Sequence, residues 1–378
     1  MFAGMCSSSL FRVGLAAVAF VPWAAARAIV PDGDWPGFRG GSAMTGARAQ
    51  TLAPPLRERW AYNVGGAADA TAAIVGATVY VAGMRGQVAA LDLQTGRPRW
   101  TFKSPSAFSA SPLVFRGTLY IGDEGGVFYA LNAASGRPRW KIQTGDKITS
   151  SASAAGRYVL FGSWDNHLYC VDANTGRRKW AFKTGAQVYC SPCVAGSRVA
   201  VAGCDGKVRL IDLATGRQKS AVQVGGNLGA TPACDGRYVY AGSLGGVYLA
   251  VRVRDGRLRW MVREREAGAA CIVSAAVSGS ELIEGSRSKR VFRLDPATGR
   301  PLWTFLTKDE VNSSPTIAGA VVYVGSDEGV LYALSVANGR MLWKFRMGGE
   351  VKSSPAIGRG VLVIGSGDGF FYCLEPSR

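Results

Sequence analysis

The sequence predicts an all-β chain: an eight-bladed β-propeller of four-stranded antiparallel blades, its ring closed by an N-terminal strand. Three observations carry this reading. Tryptophans recur at Trp60, Trp100, Trp140, Trp180, Trp260, Trp303 and Trp343, on a 40-residue period with Ser220 in one place and a single step of 43. Short alternating runs such as 321–326 and 330–334 are separated by tight turns such as Asp327-Glu328-Gly329, the pattern of antiparallel strands. The two ends of the repeat region are fragments that complete one another. The 50 glycines, with no period of three, suit many tight turns.

Residues 1–28 have the pattern of a secretory signal peptide. Arg12 precedes an apolar run over 13–26, and Ala26-Arg27-Ala28 places the cut after Ala28. The run is shorter than the roughly 20 residues that span a bilayer. Cys6 precedes the run, so it is not placed as a lipoprotein cysteine, and no later stretch is long and apolar enough to cross a membrane. The expectation is an exported soluble monomer, periplasmic or extracellular. Removing Arg12 and Arg27 would lower the net charge from +18 to +16. With 33 arginines against 11 lysines, that charge suits an anionic polymer or surface. Ten of the arginines follow a glycine, as in Gly96-Arg97 and Gly176-Arg177, which spreads them around a solvated rim.

Residues 29–56 read as an N-terminal leader and 57–378 as one propeller. Each unit has a first strand after a Ser or Thr, two further strands, and a fourth that carries the tryptophan. Thr71, Ser111, Ser151, Ser191, Thr231, Ser274, Ser314 and Ser354 count eight units. The eighth ends near Leu374 without a fourth strand, and 57–64 is a fourth strand without the other three. Pairing the two closes the ring and removes its exposed ends.

The phrases Leu91-Asp92-Leu93-Gln94-Thr95-Gly96-Arg97-Pro98-Arg99-Trp100 and Val171-Asp172-Ala173-Asn174-Thr175-Gly176-Arg177-Arg178-Lys179-Trp180 resemble the pyrroloquinoline-quinone-like β-propeller repeat. The resemblance covers residues 57–375, and Asp34-Trp35-Pro36-Gly37-Phe38-Arg39-Gly40 resembles the leader phrase of secreted bacterial proteins with this repeat. The sequence is similar to exported eight-bladed members of that superfamily and to the BamB lipoprotein of outer-membrane barrel assembly. The resemblance implies that the seven tryptophans dock on the Thr-Gly turn of a neighbouring blade, and that Ser220 leaves a weak seam. It implies a protein-binding scaffold in the cell envelope, with envelope proteins as partners.

Features present in every unit belong to the architecture. The Ser/Thr ring is expected to satisfy backbone groups near the axis. Asp92, Asp172, Asp212, Asp295 and Glu375 are expected to serve turns. Positions that vary carry more information. Asp69, Ser109, Thr149, Tyr189, Gly229, Ile272, Asn312 and Lys352 should rim the central channel. Blade three alone has Trp164-Asp165-Asn166-His167 at its second turn. An exposed Trp164 with Asp165, His167 and Tyr189 is the expected aromatic contact patch. Blade six brings Arg263, Arg265, Arg287 and Arg290 to the same face, an expected basic arc.

Dispersed carboxylates and the lone His167 give no acid–base pair. Cys190-Ser191-Pro192-Cys193 has metal or redox spacing, but residues three apart on a strand face opposite ways. No catalytic residue, metal or cofactor is therefore expected. A quinone-dependent dehydrogenase is the enzymatic alternative; those relatives carry long insertions and adjacent cysteines that this sequence lacks. A polysaccharide- or small-ligand-binding propeller is the third reading.

Overall fold

A computed structural model describes residues 33–377 and shows the eight-bladed, all-β ring that the sequence predicts. The signal-peptide pattern over 1–28 lies outside the described residues. Blade 1 is Ala73–Val75, Thr78–Gly83, Gln87–Asp92 and Pro98–Lys103, and blades 2 to 7 repeat this order. Blade 8 has three strands of its own, Ala356–Gly358, Val361–Gly365 and Phe370–Pro376. Its fourth strand is Leu56–Asn63, antiparallel to Phe370–Pro376, so the first strand of the repeat region closes the last blade. Arg57 and Arg59 both pair with Glu375 across this closure, at 2.8 Å and 2.5 Å.

In every blade the outer strand carries one extra residue just before its tryptophan position, as between Pro138 and Trp140 opposite the third strand. Such a bulge re-aims the side chain that follows it. The indoles of Trp60, Trp100, Trp140, Trp180, Trp260 and Trp303 turn to the next blade. There their Nε1–H donates to a backbone carbonyl beside the Thr-Gly or equivalent turn, at 2.8–3.2 Å. The turn glycine must be glycine. Gly176 has φ +72°, and a Cβ there would stand 2.9 Å from the Trp140 ring.

Two seams depart from this plan. The described part of blade 8 ends without the turn, and Trp343 packs against the core cluster that includes Leu52, Leu56 and Leu374 instead of docking as the resemblance implies. At Ser220 the turn of blade 5 moves in. A Cβ on Gly256 would lie 2.3 Å from Ser220 Cβ, against 3.1 Å from Trp180 Cβ for the matching Gly216. The seam between blades 4 and 5 is thus drawn together with neither an aromatic ring nor an indole bond.

The first strands meet at the axis through the Ser/Thr ring. The N–H of Thr71 donates to Ser111 Oγ at 2.9 Å, that of Ser111 to Ser151 Oγ, that of Ser151 to Ser191 Oγ and that of Ser191 to Thr231 Oγ1. Ser274 and Ser314 continue it to Ser314 and Ser354.

The leader does something the repeat pattern does not announce. It travels once around the inside of the ring, in blade order, on the side opposite the Trp164 turn. Gly33 O accepts from Arg359 N–H of blade 8, and Trp35 exchanges two backbone bonds with Ile74 of blade 1. Pro36 O accepts from Val114 of blade 2, Ser42 Oγ donates to Ala154 O of blade 3, and Ser42 O accepts from Val194 of blade 4. Ala43 O takes Cys234 N–H of blade 5, Thr45 O takes Val277 of blade 6, and Ala47–Arg48 adds a short parallel strand to blade 7. Trp35 and Arg39 are fully buried. Gly46 is required by this path, since a Cβ there would meet the Arg39 guanidinium at 1.9 Å.

Candidate functional site

The face opposite the leader is formed by the turns between second and third strands and by the connections that enter each first strand. In blade 3, the second strand Tyr158–Gly162 ends in the turn that carries Trp164, and the third strand starts at His167. Trp164 is half-buried, not exposed as the sequence suggests, because its neighbours close around it. Its Nε1–H donates to Thr149 Oγ1 at 2.8 Å, and Lys147 Nζ lies 3.7 Å from the ring centroid, a cation–π contact. The Tyr189 ring of blade 4 sits 6.2 Å away, tilted by 43°. The Tyr189 hydroxyl donates to Leu228 O at 2.6 Å, and burial pushes its pKa up. Trp164, Lys147, Thr149 and Tyr189 therefore form one patch between blades 3 and 4.

Asp165 and His167 make their described bonds to the turn, its flanking strand and Gly145, and not to that patch. Asp165 Oδ2 accepts from Tyr169 OH at 2.6 Å and from Gly145 N–H at 3.0 Å, and Oδ1 accepts from His167 N–H at 3.0 Å. The same pair of bonds recurs at Asp368, with Tyr372 and Gly348, and at Glu328, with Tyr332 and Lys308 N–H. Asp205 takes Gly185 N–H and Arg209 in the same way. A carboxylate repeated in this role is scaffold. The His167 ring leans back, with Nδ1 2.9 Å from Asp165 O.

Neighbouring acids answer much of the charge of the basic arc. Arg290 pairs with Glu266 at 2.9 Å, and Arg287 reaches Asn312 Oδ1 at 2.9 Å and Glu310 at 3.4 Å. Arg263 donates to Gly245 O at 3.2 Å and Arg265 is exposed. The arc stands on blades 5 and 6, and no described contact joins it to Trp164.

The channel rim of blades 7, 8 and 1 is acidic, which the sequence reading did not anticipate. Asn312 Nδ2 donates to Asp327 Oδ2 at 2.6 Å and to Glu310 at 3.2 Å, while Lys352 pairs with Glu350. Burial raises the carboxyl pKa of Asp69, against the pull of Lys352, and burial likewise raises that of Asp327. The signal was present two residues before Asn312 and Lys352, where Glu310 and Glu350 stand.

A second unanticipated group is buried. Glu284 occupies the second-strand position that is Val81, Ile121, Phe161, Val201, Ala241, Val324 and Ile364 in the other blades. It faces Arg39 of the leader. Burial pushes Glu284 up to about 8, opposed by Arg39, and burial brings Arg39 down to about 9, opposed by Glu284. Arg39 Nη2 donates to Ala275 O at 2.7 Å, while its Nε and Nη1 have no hydrogen-bond partner among the described residues. Among the described residues, no group of His, Cys, Asp and Glu side chains is arranged to hold a metal ion. No described helix is long and apolar enough to cross a membrane.

Residues 48–155, 144–278 and 264–377 each match the family model described as outer membrane protein assembly factor BamB. No curated protein matches the sequence. Among solved structures, BamB from Moraxella catarrhalis superposes with a TM-score of 0.74 at 20% identity, covering 85% of this chain and 98% of that one. A europium-containing methanol dehydrogenase gives 0.74 at 14% identity, covering 91% and 98%. Quinohemoprotein alcohol dehydrogenase from Comamonas testosteroni gives 0.79 at 16% identity, covering 94% and 82%. At these identities the likeness is one of fold.

Proposed function

The chain belongs to the family described as outer membrane protein assembly factor BamB, and from that membership we infer a non-catalytic, exported propeller that binds protein partners in the bacterial envelope. The observation that carries the reading is the sidedness of the ring. The chain's own leader occupies one face of the axis, so the varied side chains of the other face are left to meet a partner. On that face Trp164 offers a half-buried indole between Lys147 and Tyr189, the kind of anchor that dominates protein interfaces.

The residues present do not suit a quinone. Trp35, Arg39 and Met44 fill the axial side with at most 1% of their surface exposed, and the seven described cysteines include no adjacent pair. Purified protein incubated with pyrroloquinoline quinone and calcium should give neither a saturable thermal shift nor dye-coupled alcohol oxidation. Both together would overturn the non-catalytic reading.

The scaffold reading is tested by capture from an envelope fraction, with wild type and Trp164→Ala side by side. The variant should recover partner at least about tenfold less well, a loss of roughly 1.4 kcal/mol. Its melting temperature should fall less than that of Trp140→Ala. Unchanged capture with a fold as damaged as in Trp140→Ala would assign Trp164 to packing alone.

A further inference from the structure

Cys193 and Cys234 stand on the first strands of neighbouring blades, Cys193–Ala195 in blade 4 and Ala233–Cys234 in blade 5. Several bonds draw them together. Ser191 N–H donates to Thr231 Oγ1 at 2.9 Å, pinning the two strands just ahead of the cysteines. Ala43 O of the leader accepts from Cys193 Sγ at 3.2 Å and from Cys234 N–H at 2.9 Å. The two thiols lie close enough to shift one another's proton affinity. Cys234 Sγ also accepts from Gly236 N–H at 3.1 Å. Both residues are almost wholly buried, at 0% and 1% exposure.

Their position in the ring gives the contact meaning. Blades 4 and 5 meet at the seam where Ser220 stands in place of the docking tryptophan. Four of the seven described cysteines, Cys190, Cys193, Cys204 and Cys234, belong to these two blades. The seam that lacks the aromatic lock is the seam that holds paired thiols.

We propose that Cys193 and Cys234 form a disulfide that staples blade 4 to blade 5 in place of the missing tryptophan contact. The oxidant is an exchangeable disulfide, on a small molecule or a thiol oxidase, which rests on the exported location inferred above. The Cys234 sulfur attacks one sulfur of that disulfide and one thiol leaves. The Cys193 sulfur then attacks the mixed disulfide and the second thiol leaves. Two S–H bonds of the protein are replaced by one S–S bond, and the oxidant takes two electrons and two protons to become two thiols. Cys234 is suited to attack first: the neighbouring Cys193 thiol lowers its pKa, while burial raises that of Cys193. Because Ala43 covers the pair, the bond forms before the leader seats, and the folded ring then shields it from reductant.

The full chain is recovered by export and also refolded in mixed reduced and oxidised glutathione. Each sample is denatured, alkylated and weighed. Two thiols should escape alkylation, and a non-reduced digest should contain a peptide joining 193 to 234. Closing a loop of about 40 residues should make reduction lower the melting temperature by roughly 5 °C. Cys193→Ala and Cys234→Ala should melt near the reduced wild type and should not respond to reductant, which separates the bond from the packing of the side chains. Full alkylation of the refolded protein overturns the proposal, as does a linked pair other than 193 and 234. A bond in refolded protein that is missing from exported protein upholds the pairing and overturns the oxidising location.

Discussion

Gly176→Ala and Gly156→Ala together isolate the energy of tryptophan docking. Both glycines have positive φ, +72° and +61°, so alanine pays a similar left-handed backbone cost at each, about 1–2 kcal/mol. Only Gly176 faces a neighbour. Its added Cβ would lie 2.9 Å from Cε3 and 3.0 Å from Cδ2 of Trp140, whereas nothing lies within 4 Å at Gly156. Overpacking of this kind adds about 1–3 kcal/mol. At about 2.1 cal/mol/K of unfolding entropy per residue, a chain of this size shifts by roughly 1.4 °C per kcal/mol. Gly156→Ala should therefore lower the melting temperature by roughly 1.5–3 °C and Gly176→Ala by roughly 3–7 °C. Trp140→Ala alone should cost about 2–4 kcal/mol, below the range for a fully buried tryptophan because the ring is half-buried. Its acceptor is not orphaned, since Tyr120 OH also donates to Ala173 O at 2.8 Å. In the Trp140→Ala background the excess at Gly176 should vanish. Calorimetry of the five proteins decides the matter. Equal losses at the two glycines, or an excess that survives without Trp140, would refute docking as the source of the seam's strength.

Glu284→Gln should change the pH dependence of stability. An acid held up to about 8 in the fold, against 4.5 unfolded, gives stability that is complete below 4.5 and is lost as pH rises through 8, on the order of 4–5 kcal/mol at most. Arg39, held down to about 9, stays charged through that window and adds no slope of its own. The variant should flatten urea-denaturation midpoints between pH 5 and 8, and an unchanged slope would remove Glu284 as its source. Of the seven described cysteines only Cys204 is not fully buried. Of these seven, a bulky maleimide should label that thiol alone in the native protein, with Cys170, Cys190, Cys271 and Cys373 labelled in denaturant and Cys193 and Cys234 only once they are also reduced; rapid native labelling of Cys170 or Cys373, whose thiols burial pushes up to about 12, would contradict the packing.

The ring was readable from the sequence because each blade repeats one physical problem, a sheet with an edge to close and a turn to fit under an indole. Trp60 and the truncated eighth unit even gave away the closure. Asp165 stands out when its turn is taken alone; set against Asp205, Glu328 and Asp368, its role in the scaffold is visible in the chain itself. Trp164 was legible as the odd residue of its series, but the lysine that covers it comes from the preceding connection, where no pattern marks Lys147. The course of the leader left no side-chain period at all. It bonds mostly through backbone groups to strands 40 residues apart, and backbone bonding has no spelling in residue types. Glu284 could have been found by aligning the eight second strands; its partner Arg39, outside the repeat, could not.

The circuit of the leader also makes the number of blades hard to change. Repeat arrays grow and shrink by copying or losing whole units, and a solenoid tolerates either. Here the leader meets blade 8 at Gly33, blade 1 at Trp35, blade 2 at Pro36 and so on to blade 7 at Ala47–Arg48, before Leu56–Asn63 completes blade 8. A duplicated unit would bring a ninth first strand that finds no acceptor on the leader and shifts every later bond by one blade. A lost unit would leave leader groups facing nothing. Either event would have to coincide with a matching change in a segment encoded far from the copied unit. The leader therefore serves as a ruler, and the count of eight is inherited as one indivisible character while the individual blades remain free to diverge.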